Sequence, residues 1–239
     1  MEWDYYYNLE GGEQVRANLV YTPYVSVDKK TFCMSFNRDP GYHSDSDENA
    51  QWNDDLLTER FNRELEFYFR AGKTMPTLKI IDLDIRARKI YLEWHGDDFY
   101  MQGYMNGGFG RVLPDWQEQW LTRMEQMWNA GIVKMSLHPN SWVSKDGVLV
   151  PFNWFFSYCD SEQVVIRDVL QQISPGRQEK LSKVLSSAGM DVDTPYNAKY
   201  LQRITFDSFR SNYPADLIDR ALKLQLGDHN VHSILTDNY

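Results

Sequence analysis

Lys134-Met135-Ser136-Leu137-His138-Pro139-Asn140-Ser141-Trp142-Val143, with Phe152-Asn153-Trp154-Phe155 a short hairpin further on, is the stretch on which the rest of the chain depends. It reads as strand, tight loop, strand, hairpin, strand. Leu137, Trp142 and Val143 are apolar anchors, and Pro139-Asn140 interrupts regular structure. Lys145-Asp146-Gly147 has the Asp-Gly chemistry of a two-residue hairpin turn, ahead of Val148-Leu149-Val150. Two β segments therefore flank one polar loop.

Upstream, Asp115 to Ala130 reads as a helix that starts after Pro114 and stops at Gly131. Trp116, Trp120, Met124, Met127 and Trp128 form its apolar stripe, which is expected in the core. Before it, Leu78 to Leu83 and Lys89 to Trp94 read as strands joined by the charged turn Asp84 to Arg88. A further helix is expected from Asp55 to Ala71, where Leu57, Phe61, Leu65 and Phe69 recur every fourth residue and Gly72 follows. Tyr5 to Phe36 reads as strand, turn, strand, strand, with turns at Gly11-Gly12 and Val27 to Lys30, and with Val15, Ala17, Leu19 and Tyr21 sharing one face. Lys29 and Lys30 are expected to face solvent. After Tyr158 four helices are expected: Ser161 to Ile173, Pro175 to Ser187, Ala198 to Tyr213 and Pro214 to Leu226. The fold class is thus α+β, with a small antiparallel sheet and one helix in residues 1–96 and a mainly helical unit in residues 97–239.

The 239 residues are 42% hydrophobic and 15% aromatic, ample for a core. A net charge of -9 and a pI near 5.0 disfavour a phosphate-backbone partner, so no nucleic acid is expected. Cys33 and Cys159 are the only cysteines, without the spacing of a zinc site or a disulfide framework, and read as reduced thiols. Met1-Glu2-Trp3-Asp4 is acidic and unlike a secretory signal, and no apolar run reaches spanning length; a cytoplasmic protein without a membrane partner is the expectation. The acidic loop Arg38 to Asp55 imitates the start of a calcium loop at Asp45, Asp47 and Asn49. Ala50 and Leu56 stand where that loop needs glycine and glutamate. His229 and His232 near the C-terminus lack a third metal ligand, so no metal is expected.

The order of these elements, together with Leu137-His138-Pro139, the Asp-Gly hairpin and Phe152-Asn153-Trp154, resembles the protein-kinase-like fold, in which H-R-D-L-x-x-x-N precedes a hairpin and then D-F-G. Leu137-His138-Pro139 is similar to the D-L-H-P-x-N variant of aminoglycoside and choline phosphotransferases. The resemblance covers roughly Tyr5 to Tyr158 and implies two lobes meeting near Gly96. It puts the family's histidine at Lys134, its catalytic aspartate at Ser136, its metal-binding asparagine at Ser141 and its D-F-G aspartate at Asn153. Thr31 to Phe36 resembles the strand V-A-I-K with Ser35 in place of the lysine, and Glu64 resembles the helix glutamate that pairs with it. Without that lysine, Glu64 is expected to pair with Arg60 one turn earlier. Gly11-Gly12 lacks the G-x-G-x-x-G spacing and is flanked by Glu10 and Glu13, so it reads as a plain hairpin. Short length, acidity and dense aromatics are also similar in style to proteins of tailed phages.

Phosphoryl transfer needs a divalent cation on carboxylate oxygens and a base for the acceptor hydroxyl. A serine hydroxyl at 136, another at 141 and an amide at 153 supply neither, and Ser35 cannot neutralise phosphate. No ATP and no magnesium are therefore expected as cofactors. Asn140, one register early, and His138 are the groups that could stand in. The resemblance then implies a pseudokinase, a catalytically inactive kinase-like protein acting as a protein-binding or regulatory module. The alternative is an atypical phosphotransferase with relocated metal and phosphate ligands. Tyr100, Tyr104 and Phe109, on or beside the glycine-rich Gly103 to Gly110 loop, are the candidate protein-binding residues.

Overall fold

A computed structural model describes residues 3–5, 20–28, 30–37, 54–94, 113–170, 175–187, 189–208 and 213–226. The strands β1 (Trp3–Tyr5), β2 (Thr22–Ser26) and β3 (Thr31–Ser35) precede helix α1 (Asp54–Ala71), and β4 (Ile80–Asp84) and β5 (Lys89–Glu93) follow it. The five strands form one antiparallel sheet in the order β1-β2-β3-β5-β4. All five residues of the central strand β3 are buried; Phe32 and Met34 make its apolar face, and Thr31, Cys33 and Ser35 point to the other. The turn into β3 is closed by Ser26, whose Oγ donates to Asp28 and accepts the N–H groups of Lys30 and Thr31. Lys30 is exposed there, as expected. The alternation expected through Tyr21 falls outside the described residues except at Tyr21 itself, which precedes β2 and is buried.

Helix α1 is tied to the sheet at its first turn. Arg88, in the β4–β5 turn, donates to the Asp54 carbonyl and carboxylate, to Thr58 Oγ1 and to Asn37 Oδ1. Its buried face carries Leu57, Phe61 and Phe67, but Phe69 is 56% exposed, against the four-residue pattern. A helix advances about 100° per residue, so three steps of four residues drift about 120° around the axis and leave the core face. Phe67 takes the place that Phe69 was expected to fill.

The remaining chain begins with α2 (Trp116–Asn129), whose Trp116, Trp120, Leu121, Met124 and Met127 are buried. Gly131, at φ 66, ends it; a Cβ there would come within 2.9 Å of the Arg70 guanidinium. Next come β6 (Ile132–Lys134), a 3-10 turn at Pro139–Ser141, and the hairpin of β7 (Trp142–Lys145) and β8 (Val148–Pro151). Asp146 and Gly147 both have positive φ, 50 and 77, as a type I′ turn demands. Phe152-Asn153 then leads to a second 3-10 turn, Trp154–Phe156, where a strand was expected; β9 (Ser157–Cys159) follows and pairs with β6.

Beyond Cys159 the expected all-helical run is interrupted. Gln163–Val165 forms β10, paired with β11 (Pro195–Asn197), and among the described residues of the expected first helix the helical ones are Ile166–Leu170, as α3. Val164 and Val165 are β-branched and Pro195 cannot enter a helix interior, so both segments favour extended backbone. Helices α4 (Pro175–Ser187), α5 (Ala198–Ser208) and α6 (Ala215–Leu226) complete six among the described residues. The result is a mixed α+β fold with several small antiparallel sheets. One apolar cluster joins the five-stranded sheet, α1, the Phe152–Phe156 region and parts of α3 to α5; a second gathers α2, the far end of α1 and α6. No helix among the described residues is long and apolar enough to cross a membrane.

Candidate functional site: a closed polar loop cluster

Polar residues of the organising stretch bond to one another and to the segment that leads into the Trp154–Phe156 turn, which packs against α1. Ser136 Oγ and Ser141 Oγ lie 2.6 Å apart in a hydrogen bond, so the loop brings together the two serines that stand five residues apart in sequence. The Pro139–Ser141 turn makes this possible by folding the Ser141 N–H back onto the His138 carbonyl at 2.8 Å. From there the Ser141 carbonyl accepts the Phe152 N–H at 3.0 Å, which fixes Asn153 beside the loop.

Asn153 adopts the left-handed conformation, φ 60 and ψ 62, and is 6% exposed. Asparagine tolerates this region better than most residues. Its side-chain Oδ1 accepts a 2.8 Å hydrogen bond from the Tyr21 hydroxyl, and its carbonyl accepts one from Lys134 Nζ at 2.5 Å. The Tyr21 ring packs edge-on against Phe155 and lies beside Phe36, at centroid distances of 5.9 and 5.7 Å. Tyr21 thus bolts the sheet side of the protein to the loop. Its sequence signal was only that of a strand residue, since nothing local marks a tyrosine whose partner lies so far along the chain.

Two buried ionisable side chains clamp the turn after Asn153. Glu64 on α1 accepts the Phe155 N–H at 2.6 Å, and Lys134 on β6 lies 5.2 Å from the Trp154 ring centroid while holding the Asn153 carbonyl. Arg60, one turn earlier on α1, donates to the Phe155 carbonyl at 3.2 Å and has Glu59 at 3.7 Å. The expected Glu64–Arg60 pair therefore does not form; backbone groups of the turn take both side chains. Sequence spacing offers an i, i+4 pair to any such helix, but the orphan N–H and C=O of a buried turn compete more strongly.

Burial raises the Glu64 carboxyl above the usual range, with Lys134 acting in the opposite sense; burial likewise depresses the Lys134 ammonium, opposed by Glu64. Lys134 is fully buried and is also held from the far side, where Gln202 donates to its carbonyl at 2.7 Å and Gln225 donates to Gln202. Ser35 stands apart from this cluster. It is buried in β3 opposite Thr22 and Lys89.

His138 is half-buried on the loop. The side chain of Asn140, and all of Tyr100, Tyr104 and Phe109, lie outside the described residues, as do the acidic loop at Asp45 and Asp47 and the histidines His229 and His232. Cys33 is buried and free, its thiol pushed up to about 12 by burial; Cys159 is half-buried, with Arg70 donating to its sulfur at 2.9 Å.

Chemically, the cluster has one carboxyl group, Glu64, already engaged by a backbone N–H, two serine hydroxyls joined by one hydrogen bond, and the Tyr21 hydroxyl committed to Asn153. Among the described residues no three His, Cys, Asp or Glu side chains are grouped to hold a metal ion. The chain matches none of the protein-family models compared with it, and it matches no curated protein.

Proposed function

We propose that this chain is a bilobal, kinase-like pseudoenzyme in which the catalytic loop has become a structural joint, and that it works by binding another protein. The order of the first five strands and α1, then α2, then loop, hairpin and turn supports the kinase-like reading. The observation that carries the loss of chemistry is the way the substituted positions are used. Ser136 and Ser141 bond to each other, Asn153 bonds to Tyr21, and Glu64 bonds to the Phe155 backbone. Ser136, Ser141, Asn153 and Glu64 are thus each engaged by another part of the same chain. A protein partner anchored by Tyr100, Tyr104 and Phe109 is the function that remains for such a frame.

The test is a thermal-shift titration with ATP, with and without magnesium or manganese, followed by phosphate-transfer assays on generic protein and small-molecule acceptors. No metal-dependent stabilisation and no transfer are expected. Transfer that disappears in His138→Ala or Asn153→Ala, and is absent from a mock preparation, would overturn the proposal in favour of a phosphotransferase with relocated ligands. For the binding half, a folded Tyr104→Ala, Phe109→Ala variant is expected to lose a specific co-purifying protein that the unmodified chain retains. Identical partner sets would reject that surface.

A further inference from the structure

Helices α2 and α6 pack side by side and leave a groove of about 480 Å³ on the outside of the fold. One wall is acidic, with Glu118 and Glu125 from α2; the other is basic, with Arg220 and Lys223 from α6. Leu121 lines it from α2, and Leu224, 44% exposed, lines it from α6. Within the chain only half of this charge is matched. Arg220 donates to both carboxylate oxygens of Glu118 at 2.7 and 2.8 Å, whereas Glu125 and Lys223 are exposed and form no ion pair among the described residues.

A groove with walls of opposite sign is self-complementary in one way only. A twofold axis lying in the face and running along the groove keeps each height unchanged and exchanges left with right. The acidic wall of one copy then meets the basic wall of the other. A twofold axis across the groove would set acid against acid. We infer that this face is the site where a second copy of the chain docks, about a twofold axis parallel to the groove, with Glu125 of each copy opposite Lys223 of the other and the Leu224 side chains covered between them.

This inference is independent of the reading of the loop cluster. Exposed ion pairs contribute little each, so the association is weak and falls with salt. The same charges give the pairing its geometry rather than its strength.

The experiment is sedimentation equilibrium on the full chain at low and at physiological salt, up to several hundred micromolar. A monomer–dimer equilibrium is expected. Lys223→Glu turns both contacts repulsive and is expected to weaken dimerisation about tenfold or more. Adding Glu125→Lys to it exchanges the walls and is expected to restore the dimer to within about threefold of the unmodified chain. Leu224→Arg, checked for folding by circular dichroism, is expected to give a monomer. A chain that stays monomeric throughout overturns the inference. So does a dimer indifferent to Lys223→Glu and Leu224→Arg, and so does a double variant as weak as the single.

Discussion

Tyr21 and Asn153 lie 132 residues apart in sequence and are joined by one buried 2.8 Å hydrogen bond, from the phenol to the side-chain carbonyl. The bond closes the space between the start of β2 and the loop after β8. The Tyr21 ring sits among Phe32, Phe36 and Phe155, and Asn153 is 6% exposed, so water competes little for the bond.

Removing only the hydroxyl isolates that bond. Tyr21→Phe keeps the ring packing and is expected to destabilise the fold by about 1–2 kcal/mol, the usual range for a buried hydrogen bond that loses one partner. Tyr21→Ala also deletes the ring and is expected to cost about 3–5 kcal/mol. Urea unfolding followed by tryptophan fluorescence measures both. Equal losses for the two variants would show that the ring contributes nothing beyond the hydroxyl.

Local pattern made much of the fold legible. Helix α2 was visible in its tryptophan and methionine stripe, α1 in its apolar repeat, and the β7–β8 hairpin in Asp146-Gly147, because each signal lies within a few residues of what it specifies. The site was legible only in part. The tight loop between Lys134 and Trp142 was readable, but the bond between Ser136 and Ser141 was not anticipated. What Glu64, Lys134 and Tyr21 do could not be read, because their partners are backbone groups and an amide reached through tertiary packing. The strand at Gln163–Val165 was hidden for the same reason: its partner is Pro195–Asn197, and pairing across that distance leaves no local mark.

The left-handed backbone at Asn153 gives a second prediction. A residue with a Cβ is held there at a cost that asparagine partly escapes and glycine escapes altogether. Asn153→Ala is expected to lose about 2–3 kcal/mol, combining backbone strain with loss of the Tyr21 acceptor. Asn153→Gly loses the same acceptor without the strain, and so is expected to be more stable than Asn153→Ala by about 1 kcal/mol despite its smaller side chain. The ranking of the two variants in urea unfolding is the test. Alanine proving the more stable would mean that the left-handed conformation is not retained in solution.

The Glu64–Lys134 clamp predicts an unusual dependence of stability on pH. Glu64 is raised by burial to about 7 from an ordinary 4.5, so between those values the folded state holds a proton that the unfolded chain has released. Its contribution to stability is present below about 4.5 and is lost as pH rises towards 7. Lys134 is lowered by burial to about 7 from 10.5, so between 7 and 10.5 the unfolded chain holds a proton that the folded state lacks. Its contribution is present above about 10.5 and is lost as pH falls towards 7. The two effects meet, and the clamp is expected to weaken the fold most near neutrality, where the unfolded chain carries both charges in water. Comparing the unmodified chain with Glu64→Gln, Lys134→Met isolates this from every other titrating group. The stability difference, unmodified minus double variant, is expected to fall from about pH 5 to 7 and rise from about 7 to 10, with a slope of at most about 1.4 kcal/mol per pH unit on either side. A difference curve that is flat across that range, or one with a maximum near 7, would show that both groups keep their ordinary charges in the folded protein and that water reaches the turn they hold.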